Sequence, residues 1–210
     1  MISDRTLRLV FRSRTFVVLA GDLLMACADL GVPVVGVTLA HRKGCFRRSL
    51  SSSGEQQESP EPWEPERTLQ ATGASVVLEL FRRRVVVRAW RHDLQGLGGH
   101  VVPVILLDTD TPENVPEDRA ITGVLYGGDA RYRLAQEAVL GIGAVRILGA
   151  LGFDHVEKFH LNEGHASLAA LELLRARRAA NPSAWEHGVV RDRCISTTHT
   201  PVPADRKSTR

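Results

Sequence analysis

The chain has 210 residues, 43% of them hydrophobic and 24% charged, with a formal charge of +3. That is a globular composition with room for one sizeable core and, as an upper bound, two small domains. The net charge is small and the arginines lie among carboxylates, so no nucleic-acid groove is expected.

No apolar run reaches the roughly 18 residues that a membrane helix needs, and the arginines in residues 1–14 interrupt any apolar leader. Neither a membrane span nor secretion is expected. Cys27, Cys45 and Cys194 are odd in number and form no CxxC pair, which makes a reducing cytoplasm the simplest location.

Leu19, Leu23, Leu24 and Ala28 recur at near-helical spacing in residues 16–28, and Gly31 and Pro33 end that helix. Residues 34–39 are nearly continuous in apolar side chains, as in a buried parallel strand. The polar stretch 49–65 carries Pro60, Pro62 and Pro65 and predicts an exposed loop. Residues 74–81 and 85–90 are β-rich and flank Arg82, Arg83 and Arg84, which predicts a hairpin or meander. A third strand at 101–107 runs into Asp108 and Asp110, with Pro103 arguing for an edge or an early strand position.

Beyond Pro116 the period becomes helical. Leu134, Ala138, Gly141, Val145 and Leu148 step along one face, and Gly149 and Gly152 offer places to stop. Gly141 and Gly143 inside that helix cost about 1 kcal/mol each relative to alanine, which predicts that another backbone packs closely there. A strand at 156–161, a polar turn at 162–165, a helix to about 179 with Leu168, Ala170, Leu171 and Leu174 on its buried side, a short helix capped by Asn181 and Pro182, and a strand at 194–198 follow. The cheapest topology for that order is a right-handed parallel crossover. It sets Asn162, Glu163, His165 and His199 just past the carboxyl ends of two parallel strands, where open α/β sheets place their ligand crevice.

The segment from His160 to His165 concentrates two imidazoles, a carboxylate and an amide. Zinc is the first chemistry to test, but the spacing is not that of HExxH on a helix. Neither a GxSxG elbow nor an activated cysteine setting exists for a nucleophile. His, Asn and Glu suit the fixing of sugar hydroxyls, where every buried polar group needs a partner. A helix-start cap with satisfied surface groups explains His165 equally well. Thr197, Thr198, His199 and Thr200 could line a pocket or form an ordinary turn. Gly127, Gly128 and Asp129 lack the lysine and serine of a P-loop, and no GxGxxG occurs.

Five stretches in order, LAGDLLMACADLGVPVVGVTLAHRKGCF (19–46), VPVILLDTDTPENVPEDRAIT (102–122), LYGGDARYRLAQEAVLGIGAVRILGALG (125–152), FHLNEGHASLAALELLR (159–175) and TTHTPVP (197–203), resemble the bacterial and archaeal branch of the glycogen/α-glucan phosphorylases. The resemblance covers most of residues 18–205 and implies an incomplete Rossmann-like α/β amino-terminal domain of the GT-B type, with a mainly parallel sheet and a β-rich excursion. Residues 1–17 are then an atypical leader and 206–210 a tail. It implies transfer of a glucosyl unit from an α-1,4-glucan or maltooligosaccharide to phosphate, giving glucose 1-phosphate, with pyridoxal 5′-phosphate held by a lysine of a carboxyl-terminal domain. That cofactor serves as a positioned phosphate.

By the same resemblance, Asn162 and Glu163 belong to the loop at the glucosyl subsite, His165 and His199 carry catalysis beside the transferred sugar, and Asp22 follows the phosphate-side glycine-rich loop. Tyr126, Arg133, Gln136 and Glu137 match a recurrent helix-leading segment. The departures are Arg14, Thr15, Phe16 and Val17 in place of a GGLG loop, Leu23 in place of a histidine, and His41 in place of a tyrosine. Losing those glycines removes the tight turn that aims backbone N–H groups at phosphate. Three lysines, Lys43, Lys158 and Lys207, lie outside any segment resembling the cofactor motif. The chain is therefore expected to be inactive alone, lacking the cofactor domain, and to self-associate through an uncovered interdomain surface. A noncatalytic carbohydrate-binding or interaction remnant is the alternative.

Overall fold

A computed structural model describes residues 15–43, 46–60, 63–124, 128–182 and 185–198. Helix α1, Thr15–Leu30, ends in a Schellman turn. Gly31 takes φ +69°, and the N–H groups of Gly31 and Val32 donate to the carbonyls of Ala28 and Cys27.

Four strands form the main sheet: β1 (Gly36–Leu39), β4 (Gln70–Leu80), β5 (Arg83–Gln95) and β6 (Val101–Asp108), in the order β1-β6-β5-β4. Only β1 and β6 run parallel; β6–β5 and β5–β4 are antiparallel. This corrects the expectation of a mainly parallel sheet. The cause is connection length, since Phe81 and Arg82 alone join β4 to β5, and residues 96–100 join β5 to β6. A parallel return needs a crossover of a dozen or more residues.

The β4–β5 hairpin matches the expectation for that stretch. Its turn is of type I′, with Phe81 and Arg82 at φ +52° and +64°, a conformation for which Asn-Gly is the usual choice. Pro103 is not on an edge, because β6 lies between β1 and β5. It does fall early, one residue before pairing with β1 starts at Gly36 and Val104.

The stretch expected to be a loop contains a hairpin of β2 (Phe46–Leu50) and β3 (Gln56–Pro60), closed by a turn in which Ser51 N–H donates to the Glu55 carbonyl. Its side chains are mostly polar, so no apolar alternation signals it. A short helix α2, Pro65–Thr68, leads from there into β4.

The sheet buries both faces. On one, Val85, Val87, Ala89, Ile105 and Leu107 pack against a long helix; on the other, Trp90, Leu94, Val102, Val104 and Leu106 pack against α1. Alternate residues of β5 and β6 thus serve opposite cores, as the pleat requires. Each fully buried aliphatic side chain contributes about 1.5–3 kcal/mol of transfer free energy.

After helix α3, Pro116–Arg119, the long helix runs as α4 (Ala130–Ala138), a π turn (Val139–Gly143) and α5 (Ala144–Ala150). The wide turn shifts the buried face. Ala135, Ala138, Val139, Ile147 and Leu148 are buried, whereas Leu134, expected inside, is half exposed. A Cβ on Gly141 would come within 2.7 Å of the Ala169 nitrogen, so the predicted close backbone approach exists there. Gly143 meets only side chains, none nearer than 3.6 Å, and does not need to be glycine for space.

The notch at Gly141 seats the start of helix α6, Leu168–Ala180. Before α6 come β7 (Phe159–Asn162) and a 3-10 turn (Gly164–Ala166); after it come α7 (His187–Arg193) and β8 (Cys194–Thr197). The short helix therefore begins later than Pro182. Strands β7 and β8 pair parallel as a separate two-stranded sheet, which agrees with the expected crossover. No described helix is long and apolar enough to cross a membrane.

Candidate functional site

Two places merit a chemical account, one at the carboxyl ends of β7 and β8, the other at those of β1 and β6. In the first, Asn162 ends β7 opposite Thr197 of β8, and the next residue, Glu163, donates its N–H to the Thr197 carbonyl at 2.9 Å. Glu163 has φ +63° and ψ −173°. Only glycine adopts that region readily, and for other residues it costs about 1–3 kcal/mol.

The turn then places His165 in the 3-10 segment, exposed to solvent, and the 3-10 segment packs against the π turn of the long helix. On the exposed face of β7, His160 Nε2 lies 2.6 Å from Thr197 Oγ1. His199 lies outside the described residues, as does Tyr126. Asp22 is exposed on α1, which packs on the opposite face of the main sheet from the long helix against which the 3-10 turn packs. Asn162, Glu163 and His165 are thus gathered in one turn, and Asp22 is not part of it.

Gln136 donates to the carbonyls of Ile121 at 2.9 Å and Val124 at 2.8 Å, tying the long helix to the segment after α3. Arg133 is exposed. Among the described residues no group of three or more His, Cys, Asp or Glu side chains is arranged to hold a metal ion.

The second place is built on Asp108, whose side chain is wholly buried. Its Oδ2 accepts from Arg42 Nη2 at 2.7 Å, Trp90 Nε1 at 2.9 Å and Arg88 Nη2 at 3.1 Å, and its Oδ1 accepts the Asp110 N–H at 2.9 Å. Burial pushes the Asp108 carboxyl up, but the hydrogen bonds from Arg42, Trp90 and the Asp110 N–H outweigh it and hold the group below the ordinary carboxylate range. Arg42 also forms a fork on Glu66, with Nη2 to Oε1 at 2.6 Å and Nη1 to Oε2 at 3.1 Å, and this holds Glu66 low as well. Beside Arg42, burial pushes the His41 imidazole down to about 4, against a hydrogen bond with the Thr122 backbone.

An open cleft of about 510 Å³ adjoins this network, lined by Arg42, Lys43, Asp110, Arg119, Val124 and Tyr132 among others. Arg119 Nε is 2.6 Å from Asp110 Oδ1, so most of the cations at this cleft are already matched by carboxylates. Its chemistry is that of a structural ion-pair hub. The sequence offered only a hint of it, the two carboxylates at the end of β6; the arginines that meet them come from distant segments.

With this geometry in place, comparison with known proteins decides the relationship. The chain is 40% identical over 202 residues to a glycogen phosphorylase of Mycobacterium tuberculosis, 35% over 204 to a maltodextrin phosphorylase of Thermococcus litoralis, and 31% over 194 to a glycogen phosphorylase of Aquifex aeolicus. No family model matches it. The chain is a relative of the glycogen and maltodextrin phosphorylases. The matches take in 88–89% of the chain and 23–27% of these phosphorylases, so the chain spans about a quarter of the length of the curated relatives it matches.

Phosphorylases of this kind use pyridoxal phosphate, and a Schiff-base lysine is typically a desolvated one. Of the described lysines, Lys43 is exposed, and Lys158 is exposed with its ammonium 2.6 Å from the Asp192 carbonyl. Neither suits the role, so the described residues do not fit as holders of that cofactor.

Proposed function

We propose that residues 159–165, with β8 beside them, form the glucan-facing wall of an α-1,4-glucan phosphorylase-type site. The reaction is glucosyl transfer from glycogen or a maltodextrin to phosphate. The observation that carries this is the backbone of Glu163, held in a glycine-like conformation by Thr197 at the carboxyl end of a parallel strand pair. Strain of that kind persists only where the surroundings over-determine it, and it concentrates at ligand sites. Asn162 and His165 flank it and supply donors and acceptors suited to sugar hydroxyls.

In this role Asn162, Glu163 and His165 bind and orient the terminal sugar, and His199 is assigned to the same sugar by resemblance alone. Contacts that tighten as the anomeric carbon gains oxocarbenium character are those that raise rate. Asp22, across the main sheet from this turn, is assigned to substrate binding by resemblance alone and is given no contact with the sugar. The relatives' activity belongs to chains about four times as long, and this chain alone is proposed to bind sugar without turning it over.

The experiment is titration of the purified chain with maltoheptaose by calorimetry, next to an assay of glucose 1-phosphate from glycogen, phosphate and pyridoxal phosphate. Saturable binding that Glu163→Ala or His165→Ala weakens supports the proposal. Binding without turnover is the expected pattern and also suits a noncatalytic carbohydrate-binding role; phosphate-dependent turnover abolished by His165→Ala would show a self-contained enzyme. Absence of binding removes the proposal.

A further inference from the structure

His160 lies within the wall of residues 159–165, on the same exposed face of β7 as Asn162, and its imidazole faces β8. Strand alternation sets His160 and Asn162 on one side of the two-stranded sheet, together with Ile195 and Thr197 of β8. Register pairs Asn162 with Thr197 and His160 with Ile195, so His160 and Thr197 are diagonal neighbours. Thr197 is gripped twice. Its hydroxyl meets His160 Nε2 at 2.6 Å, and its carbonyl accepts the Glu163 N–H at 2.9 Å.

We propose that His160 is a positioning residue, which fixes Thr197 and through it the strained backbone of Glu163. A residue in the glycine-only region relaxes unless something holds it, and the Thr197 carbonyl is one group that holds Glu163. That carbonyl belongs to the last residue of β8, where a two-stranded sheet of four-residue strands would otherwise fray. A side chain reaching across from β7 ties down that last residue. The consequence for sugar binding rests on the glucan role proposed above; the positioning itself does not.

The test uses the whole chain and reads amide hydrogen exchange. His160→Ala is expected to lower protection of the Glu163 amide by about tenfold, as loss of one supporting hydrogen bond would, while the amides of Ile105 and Leu107 in β6 stay unchanged. Thr197→Val should have the same effect, adding His160→Ala to it should change little further, and Thr197→Ser and His160→Gln should retain protection. In parallel, maltoheptaose affinity should fall in His160→Ala and recover in His160→Gln.

Unchanged Glu163 protection in His160→Ala overturns the proposal, and so does an equal loss across β6, which would mark a general structural role. If Glu163 protection falls locally while the unaltered chain binds no maltoheptaose, the positioning stands and the glucan role fails.

Discussion

The indole N–H of Trp90 donates to Asp108 Oδ2 at 2.9 Å inside the core that α1 shares with the main sheet. Together with Arg42 and Arg88 it lets a wholly buried carboxylate stay ionised between β5 and β6. Trp90→Phe keeps most of the packing and removes one hydrogen bond to a charge, so it should cost about 1.5–3 kcal/mol. Asp108→Ala removes the buried acceptor shared by Trp90 and two guanidinium groups, while Arg42 keeps its fork on Glu66 and Arg88 its bond to the Asp110 carbonyl, so it should cost about 3 kcal/mol. Urea unfolding monitored by tryptophan fluorescence, using the remaining tryptophans for Trp90→Phe, gives both values. Equal stability of Asp108→Ala and the parent chain would refute the hub.

The partly buried His41 predicts an acid-side loss of stability. Its folded value is about 4 against an ordinary 6.5, so between those limits the unfolded chain binds the extra proton. Stability must then rise with pH across that window, and the contribution from this group is lost as pH falls from about 6.5 to 4. The shift corresponds to at most about 3–4 kcal/mol. Chemical denaturation at pH 4.5, 5.5 and 7 should show a steeper slope for the parent than for His41→Phe. Asp108 adds a separate loss at lower pH, since a depressed carboxyl contributes above its unfolded value and is lost as pH falls through its folded one.

Gly141 and Gly143 separate two reasons for a glycine in a helix. Gly141→Ala drives a methyl to 2.7 Å from the backbone nitrogen of Ala169, which can yield only by moving α6. The expected cost is about 1–3 kcal/mol from overpacking, with a change in the 3-10 turn beside it. Gly143→Ala meets ordinary contact distances and should be neutral or stabilising by up to about 1 kcal/mol through helix propensity. Thermal melting of both variants decides it, and reversal of their order would mean that α6 is not seated in that notch.

These elements also show what the sequence could convey. The crossover from β7 to β8 was legible because a short apolar run, a polar turn and an amphipathic helix follow one another locally. The close approach at Gly141 was legible because an interior glycine asks for a reason. The antiparallel majority was not, because the resemblance concerned a whole domain, whereas strand direction here follows from the two-residue turn at Phe81 and Arg82. The β2–β3 hairpin left no trace in residues whose two faces are both mostly polar. The network around Asp108 joins residues 42, 66, 88 and 108, and no spacing in sequence announces such a meeting. His160 drew attention as a metal ligand, and only the register of β7 against β8 revealed its partner in Thr197.

Glu163 gives the sharpest prediction, because stability and binding should move in opposite directions. With φ +63° and ψ −173° it occupies a region costing about 1–3 kcal/mol for a residue with a Cβ. Glu163→Gly removes that cost and restores some freedom to the unfolded chain, which takes back about 0.5–1 kcal/mol. The net expectation is stabilisation of about 1 kcal/mol. Glu163→Ala keeps the Cβ and the strain, so it should not share the gain. Both variants lose the carboxylate and should weaken maltoheptaose binding alike. The measurement pairs urea unfolding with calorimetric titration for the two variants and the parent. A glycine variant that is more stable yet binds less tightly is what a strained, sugar-facing residue predicts. A glycine variant that is less stable than alanine would mean that the backbone at this position is not strained, and the case for a site in this turn would fall with it.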